Sequence, residues 1–134
     1  MAREDVEVVR QALDAYNSGD IARILALTHP DFEAVIPAEL SAEPDVYRGH
    51  DGIRRYFESF RDAMDEIVFE VERYTDAGAA VLVEMRLTAR GRLTSIAVEQ
   101  RNVGVWTVRD GRVIGVRAYA ELADARRALG LDGP

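Results

Sequence analysis

The chain has 134 residues, with 24 Asp plus Glu against 17 basic residues and a formal charge of −7. Every basic residue is Arg, Lys and Cys are absent, and the only histidines are His29 and His50. Schiff-base, thiolate and iron–sulfur chemistry are therefore excluded, as is a three-His zinc site.

From the N-terminus, Val6, Val9, Leu13 and Tyr16 recur at steps of three and four and predict a helix over roughly residues 4–16. Asn17-Ser18-Gly19 ends it, and Asp20 caps a second, short helix carrying Ile21, Ile24, Leu25 and Leu27. His29-Pro30-Asp31 stops that helix, with His29 placed to complement its C-terminal dipole. Phe32 to Ile36 reads as a short strand closed by Pro37, and residues 38–49 as the one long loop, broken by Pro44 and Gly49. Asp51, beside His50, caps and opens a third helix whose stripe is Ile53, Tyr56, Phe57, Phe60 and Met64.

The apolar period then changes from 3.6 to 2. Ile67, Phe69 and Val71 alternate with Val68, Glu70 and Glu72, and Asp76-Ala77-Gly78 turns the chain. A long strand over 79–90 places Val81, Val83, Met85 and Leu87 on one face. Gly91-Arg92 turns again, residues 93–108 return, and Asp110-Gly111 is a tight hairpin signal. A last strand over 112–121 precedes a short helix ending near Gly130. This order predicts an α+β fold of a single domain, residues 1–134: a curved antiparallel or mixed sheet wrapping three N-terminal helices into a cone. A cone too wide for its own side chains encloses a pocket.

Three stretches carry a resemblance: Tyr16-Asn17-Ser18-Gly19-Asp20, Tyr47-Arg48-Gly49-His50-Asp51-Gly52-Ile53, and the run from Val105-Trp106 through Asp110-Gly111 to Val113. Together with the order of elements they resemble the SnoaL-like polyketide cyclase family of the nuclear transport factor 2-like superfamily, which also holds ketosteroid isomerase. The resemblance implies a cone-shaped α+β fold, usually a homodimer, with an apolar pocket between helices and sheet. Isomerases, cyclases, epoxide hydrolases, dehydratases and non-catalytic modules all use this fold, so the likeness does not choose among them. On ketosteroid isomerase, the general-base Asp falls at Ile36, the oxyanion-hole Asp at Val103, and the oxyanion-hole Tyr near Ala12. All three positions are apolar here. That mechanism needs a carboxylate to move the proton, and it is rejected for this chain.

Glu99 and Arg101 form the sharpest local signal, a carboxylate and a guanidinium two apart on one strand face with Val103 and Val105. In the isomerase alignment that parity faces the interior, where the pair would position a water or a substrate carbonyl. Limonene epoxide hydrolase, a superfamily relative, uses acidic and Arg residues in this spacing with a second acid, for which Glu121 is the candidate here. The other reading is an ion pair at the strand's solvated end or at a dimer interface, and a bulge between 96 and 101 would invert the parity. Tyr16, Tyr56 and Phe60 read as core aromatics or as a pocket wall, joined by Ile36, Val83, Met85, Val103 and Val105. Trp106 and Tyr119 read as packing the outer sheet face in a homodimer, and Glu33 points away from the interior.

The acidic balance and the dispersed Arg residues argue against nucleic acid and anionic membrane as partners. No signal-like run opens the chain and no 18-residue apolar stretch follows, so a soluble cytoplasmic protein is expected. Two functions fit. One is an isomerase, cyclase or epoxide hydrolase acting without cofactor or metal on a small apolar molecule that bears a carbonyl or epoxide. The other is a non-catalytic ligand-binding or dimerisation module.

Overall fold

The computed structural model describes residues 2–36 and 45–131. Helix α1 (Ala2–Ser18) buries Val9, Ala12, Leu13 and Ala15, the stripe that its periodicity marks. The Asp20 carboxylate then accepts the Arg23 backbone N–H at 3.1 Å and starts α2 (Ile21–Ala26). Strand β1 (Thr28–Ile36) follows directly, so His29, Pro30 and Asp31 extend the strand instead of ending a helix. The edge strand β2 (Asp45–Arg48) pairs antiparallel with β1, Glu33 opposite Arg48 and Ile36 opposite Asp45. It falls inside the loop expected over 38–49, because four residues are too few to display an alternation. The rest of that loop lies outside the described residues.

Helix α3 (Gly49–Ala63) starts two residues before Asp51, and Met64 opens β3 (Met64–Asp76) instead of closing the helix. Strands β4 (Val81–Gly91), β5 (Ala97–Arg109) and β6 (Arg112–Tyr119) complete the meander, and α4 (Leu122–Ala128) ends the described chain. Asp110 and Gly111, both at positive φ (54° and 73°), form the β5–β6 turn with the left-handed geometry that a two-residue hairpin requires.

The six strands lie in the order β2-β1-β6-β5-β4-β3, antiparallel except for β1 beside β6, which run parallel. Register shifts interrupt β3–β4 near Glu66 and Glu72, β5–β6 after Thr107, and β1–β6 before Glu33. Such bulges bend and twist a strand. The sheet therefore curls into an open cone around α1, α2 and α3. Asn17, at the end of α1, fastens helix to sheet with both ends of its amide: it donates to the Phe69 carbonyl at 2.9 Å and accepts the Phe69 N–H at 2.7 Å.

Two apolar clusters result. The larger fills the concave side, where Phe32, Phe69, Val83, Met85, Leu87, Trp106 and Val113 meet Val9, Leu13, Ile24, Ile53 and Phe57 from the helices. The smaller lies on the outer face, where α4 sets Ala125 and Leu129 against Leu82, Val103, Val105 and Tyr119.

Candidate functional site

The concave cluster does not close completely. A cavity of about 70 Å3, partly open to solvent, lies between α1, α3 and the sheet. Leu13 and Tyr16 come from α1, Ile53 and Tyr56 from α3, and Phe32, Ala34 and Ile36 from β1. Phe69, Met85, Asn102, Trp106, Val116 and Ala118 complete the wall from β3 to β6. The volume is about half of the roughly 150 Å3 of apolar cavity that accommodates benzene. Its enclosed part holds only a few carbon atoms, and anything larger extends through the mouth.

The aromatic rings are coupled, edge to face except for the tilted Tyr16–Trp106 pair. Tyr16 meets Phe57 at 4.6 Å between centroids and Trp106 at 5.9 Å, while Tyr56 meets Phe57 at 5.5 Å and Tyr47 at 5.1 Å. Four of the lining side chains carry a polar group: Tyr16, Tyr56, Asn102 and Trp106. Burial pushes the Tyr16 phenol far above its ordinary pKa, and the neighbouring Tyr56 adds to the effect. Burial, with Tyr47 beside it, raises Tyr56 to about 12. Both are neutral donors throughout the physiological range. Trp106 is 2% exposed, and its Nε1 has no hydrogen-bond partner among the described residues. A buried donor left so costs about 1–3 kcal/mol. Nothing ionised lines the cavity among the described residues: no Asp, Glu, His or Arg belongs to its wall. No group of three His, Cys, Asp or Glu able to hold a metal occurs among them either.

The structure brings Tyr16, Ile36, Tyr56 and Met85 around the cavity and leaves the other expected residues elsewhere. Val83 is fully buried in the same core without lining the space. For Phe60 only the backbone, within α3, belongs to the described structure. The interior reading of Glu99, Arg101, Val103 and Val105 is corrected. Met85 opposes Asn102 and Val83 opposes Gly104, so the even-numbered residues of β5 face the cone and the odd-numbered ones face outward. Val103 and Val105 are apolar because α4 covers that part of the outer face. Glu99 and Arg101 lie beyond α4, exposed, in a ladder of ion pairs: Arg86 reaches Glu70 at 3.0 Å and Glu99 at 3.6 Å, and Arg101 reaches Glu72 at 3.3 Å. The hydrogen bond to Glu70, followed by the charges of Glu70 and Glu99, holds the Arg86 guanidinium above its ordinary value.

Trp106, read as an outer-face residue, is on the concave side, whereas Tyr119 is on the outer face. Asn102 and Trp106 are thus the polar residues that the sequence reading missed. The signal was present, since they share the parity of Gly104, where the strand keeps no side chain. Glu33 points outward and pairs with Arg48 at 3.2 Å. Glu121 is exposed at the start of α4, outside the cavity. His29 caps no helix: its Nδ1 accepts the Asp31 N–H at 3.0 Å within β1. His50 Nε2 lies 2.8 Å from the Thr28 carbonyl oxygen and ties the start of α3 to β1.

The family model of the SnoaL-like domain matches residues 9–116, from the buried face of α1 to the β6 wall of the cavity. The chain belongs to the SnoaL-like domain family. Solved structures share the SnoaL-like fold at low identity. A nuclear transport factor 2-like protein of unknown function from Burkholderia pseudomallei K96243 is 18% identical, with a TM-score of 0.78 over 94% of this chain and 97% of that one. TerC, co-crystallised with polyporic acid, is 19% identical, with a TM-score of 0.78 over 95% and 98%. A protein from Sinorhizobium meliloti provisionally named a polyketide cyclase is 20% identical, with a TM-score of 0.69 over 89% and 99%. No curated protein sequence matches significantly. No helix of the described residues is long and apolar enough to cross a membrane.

Proposed function

We propose that this SnoaL-like chain, read as one domain over residues 1–134, binds a small apolar molecule in the cavity between α1, α3 and the sheet, without a cofactor. One observation carries the reading. The described wall is apolar, holds several neutral hydrogen-bond donors, and contains no group that is ionised near neutral pH. Such a site orients an uncharged ligand through shape and one or two hydrogen bonds. General acid–base turnover would need a group that exchanges protons near neutral pH, and Glu99 with Arg101, the sequence's candidates, sit on the other face of the sheet.

The test is thermal unfolding against a panel of small uncharged ring compounds, with mass analysis of each compound after long incubation. A ligand at a hundredfold excess over its Kd raises the unfolding free energy by about 2.7 kcal/mol, and it is recovered unchanged. A second reading, a cofactor-free isomerase, cyclase or hydrolase, draws support from the neutral phenol of Tyr16, which can polarise a carbonyl or epoxide. A new product in the incubation selects that reading over simple binding. The homodimer implied by the resemblance would form through the part of the outer face that α4 leaves open, and sedimentation velocity at micromolar concentration checks it.

A further inference from the structure

Trp106 is the only tryptophan of the chain, and among the described residues its indole nitrogen is the one buried, unpartnered side-chain nitrogen or oxygen of the concave face. We propose that this N–H, seated over Gly104, is the specificity-determining donor of the cavity and receives a neutral oxygen of the ligand, a ketone or aldehyde carbonyl. The inference rests on the ligand-binding reading above and adds to it the chemistry of the ligand's polar end.

An indole nitrogen only donates, so its partner must be an acceptor. None of the acceptors on the described wall, the Tyr16 and Tyr56 hydroxyls and the Asn102 amide oxygen, bonds to it, so the acceptor is to arrive with the ligand. The backbone beneath is shaped for that approach. A Cβ at position 104 would stand 2.5 Å from Nε1, so glycine is what lets the indole edge lie along the strand. The residue opposite Gly104 on β6 is Ala118, which keeps the floor of the cavity low beside the N–H. Asn102, the next residue of β5 on the same face, brings a second polar side chain to the wall. No cation of the described wall would compensate a carboxylate, which keeps an ionised acid out of the enclosed part. A purely hydrocarbon ligand would leave the N–H as unpartnered as before.

The single indole resonance makes the test direct. The full-length 15N-labelled protein is titrated with cyclopentanone, cyclopentane and cyclopentanecarboxylate, and the indole peak is followed beside the methyl resonance of Met85. Cyclopentanone should move the indole proton downfield, cyclopentane should move the Met85 methyl while leaving the indole proton near its place, and cyclopentanecarboxylate should move neither. Trp106→Phe should weaken cyclopentanone about five- to tenfold, the loss of one neutral hydrogen bond, with cyclopentane much less affected. If ketone and hydrocarbon move the indole proton alike, the donor role is overturned while ligand binding stands. If neither probe moves any cavity resonance at millimolar concentration, the ligand-binding reading itself fails and this inference with it. Should Trp106→Phe not fold, the three wild-type titrations still decide the matter.

Discussion

The two faces of β4 and β5 are built from the same eleven-residue and thirteen-residue strands, yet beyond the cover of α4 they are chemically opposite. Toward the helices stand Val83, Met85, Leu87, Asn102 and Trp106, without an ionised group. Toward the outside stand Arg86, Glu99 and Arg101, each paired with a neighbour across the strands. The contrast follows from water. Charges on the outer face keep their hydration and gain little from pairing. On the inner face a charge would lose hydration without compensation, and only neutral donors are tolerated there. Among the described residues, the inner face therefore offers hydrogen bonding and shape, and the charged pairs of these strands stand on the other side of the sheet.

The largest expected effect tests the inner face. Phe32 is 1% exposed beneath the cavity, and Phe32→Ala should cost about 3–5 kcal/mol in denaturant unfolding. Alkaline titration comes next. Below pH 10, Tyr56 is protonated in both folded and unfolded chains and contributes no pH dependence. As the pH rises from 10 to about 12, the unfolded chain releases a proton that the native state keeps. Stability should fall across that window, by on the order of 2–3 kcal/mol from Tyr56, with ultraviolet absorbance showing late ionisation of the buried phenols. Asn17→Ala removes both bonds to the Phe69 backbone, in a partly buried place. A loss of about 1–3 kcal/mol is expected. The smallest effect sharpens the comparison most. Glu99→Gln should shift the melting temperature by less than about 2 °C and leave ligand affinity unchanged. A large loss of affinity would bring Glu99 back into the site.

The helices and the meander were legible because their signals are local. Val9 and Leu13 recur at helical spacing, Val81 to Leu87 alternate, and Asp110-Gly111 names its own turn. The resemblance extended that reading to the cone. The facing of β5 was not legible, for a physical reason. Its first half alternates exposed Glu99 and Arg101 with half-buried Gln100 and Asn102, but its second half is apolar on both sides. Val103 and Val105 lie under α4 while Trp106 lies under the helices of the cone. A helix from the far end of the chain thus masks the parity, and no local pattern announces where it will land. β2 escaped for a different reason: its pairing with β1 is the only thing that makes it a strand.

The place of β6 bears on how the molecule is made. It stands between β5 and β1, and the parallel β1–β6 pairing joins the first strand of the chain to the last. Hairpins can form one after another as β3, β4 and β5 are synthesised, but β1 and β2 have no sheet to join until β6 has left the ribosome. The wall that carries Phe32, Ala34 and Ile36 is then the last to close. Until that moment β5 is an open sheet edge, and Val103 and Val105 on its outer face wait longer still, for α4; such an edge recruits neighbouring chains.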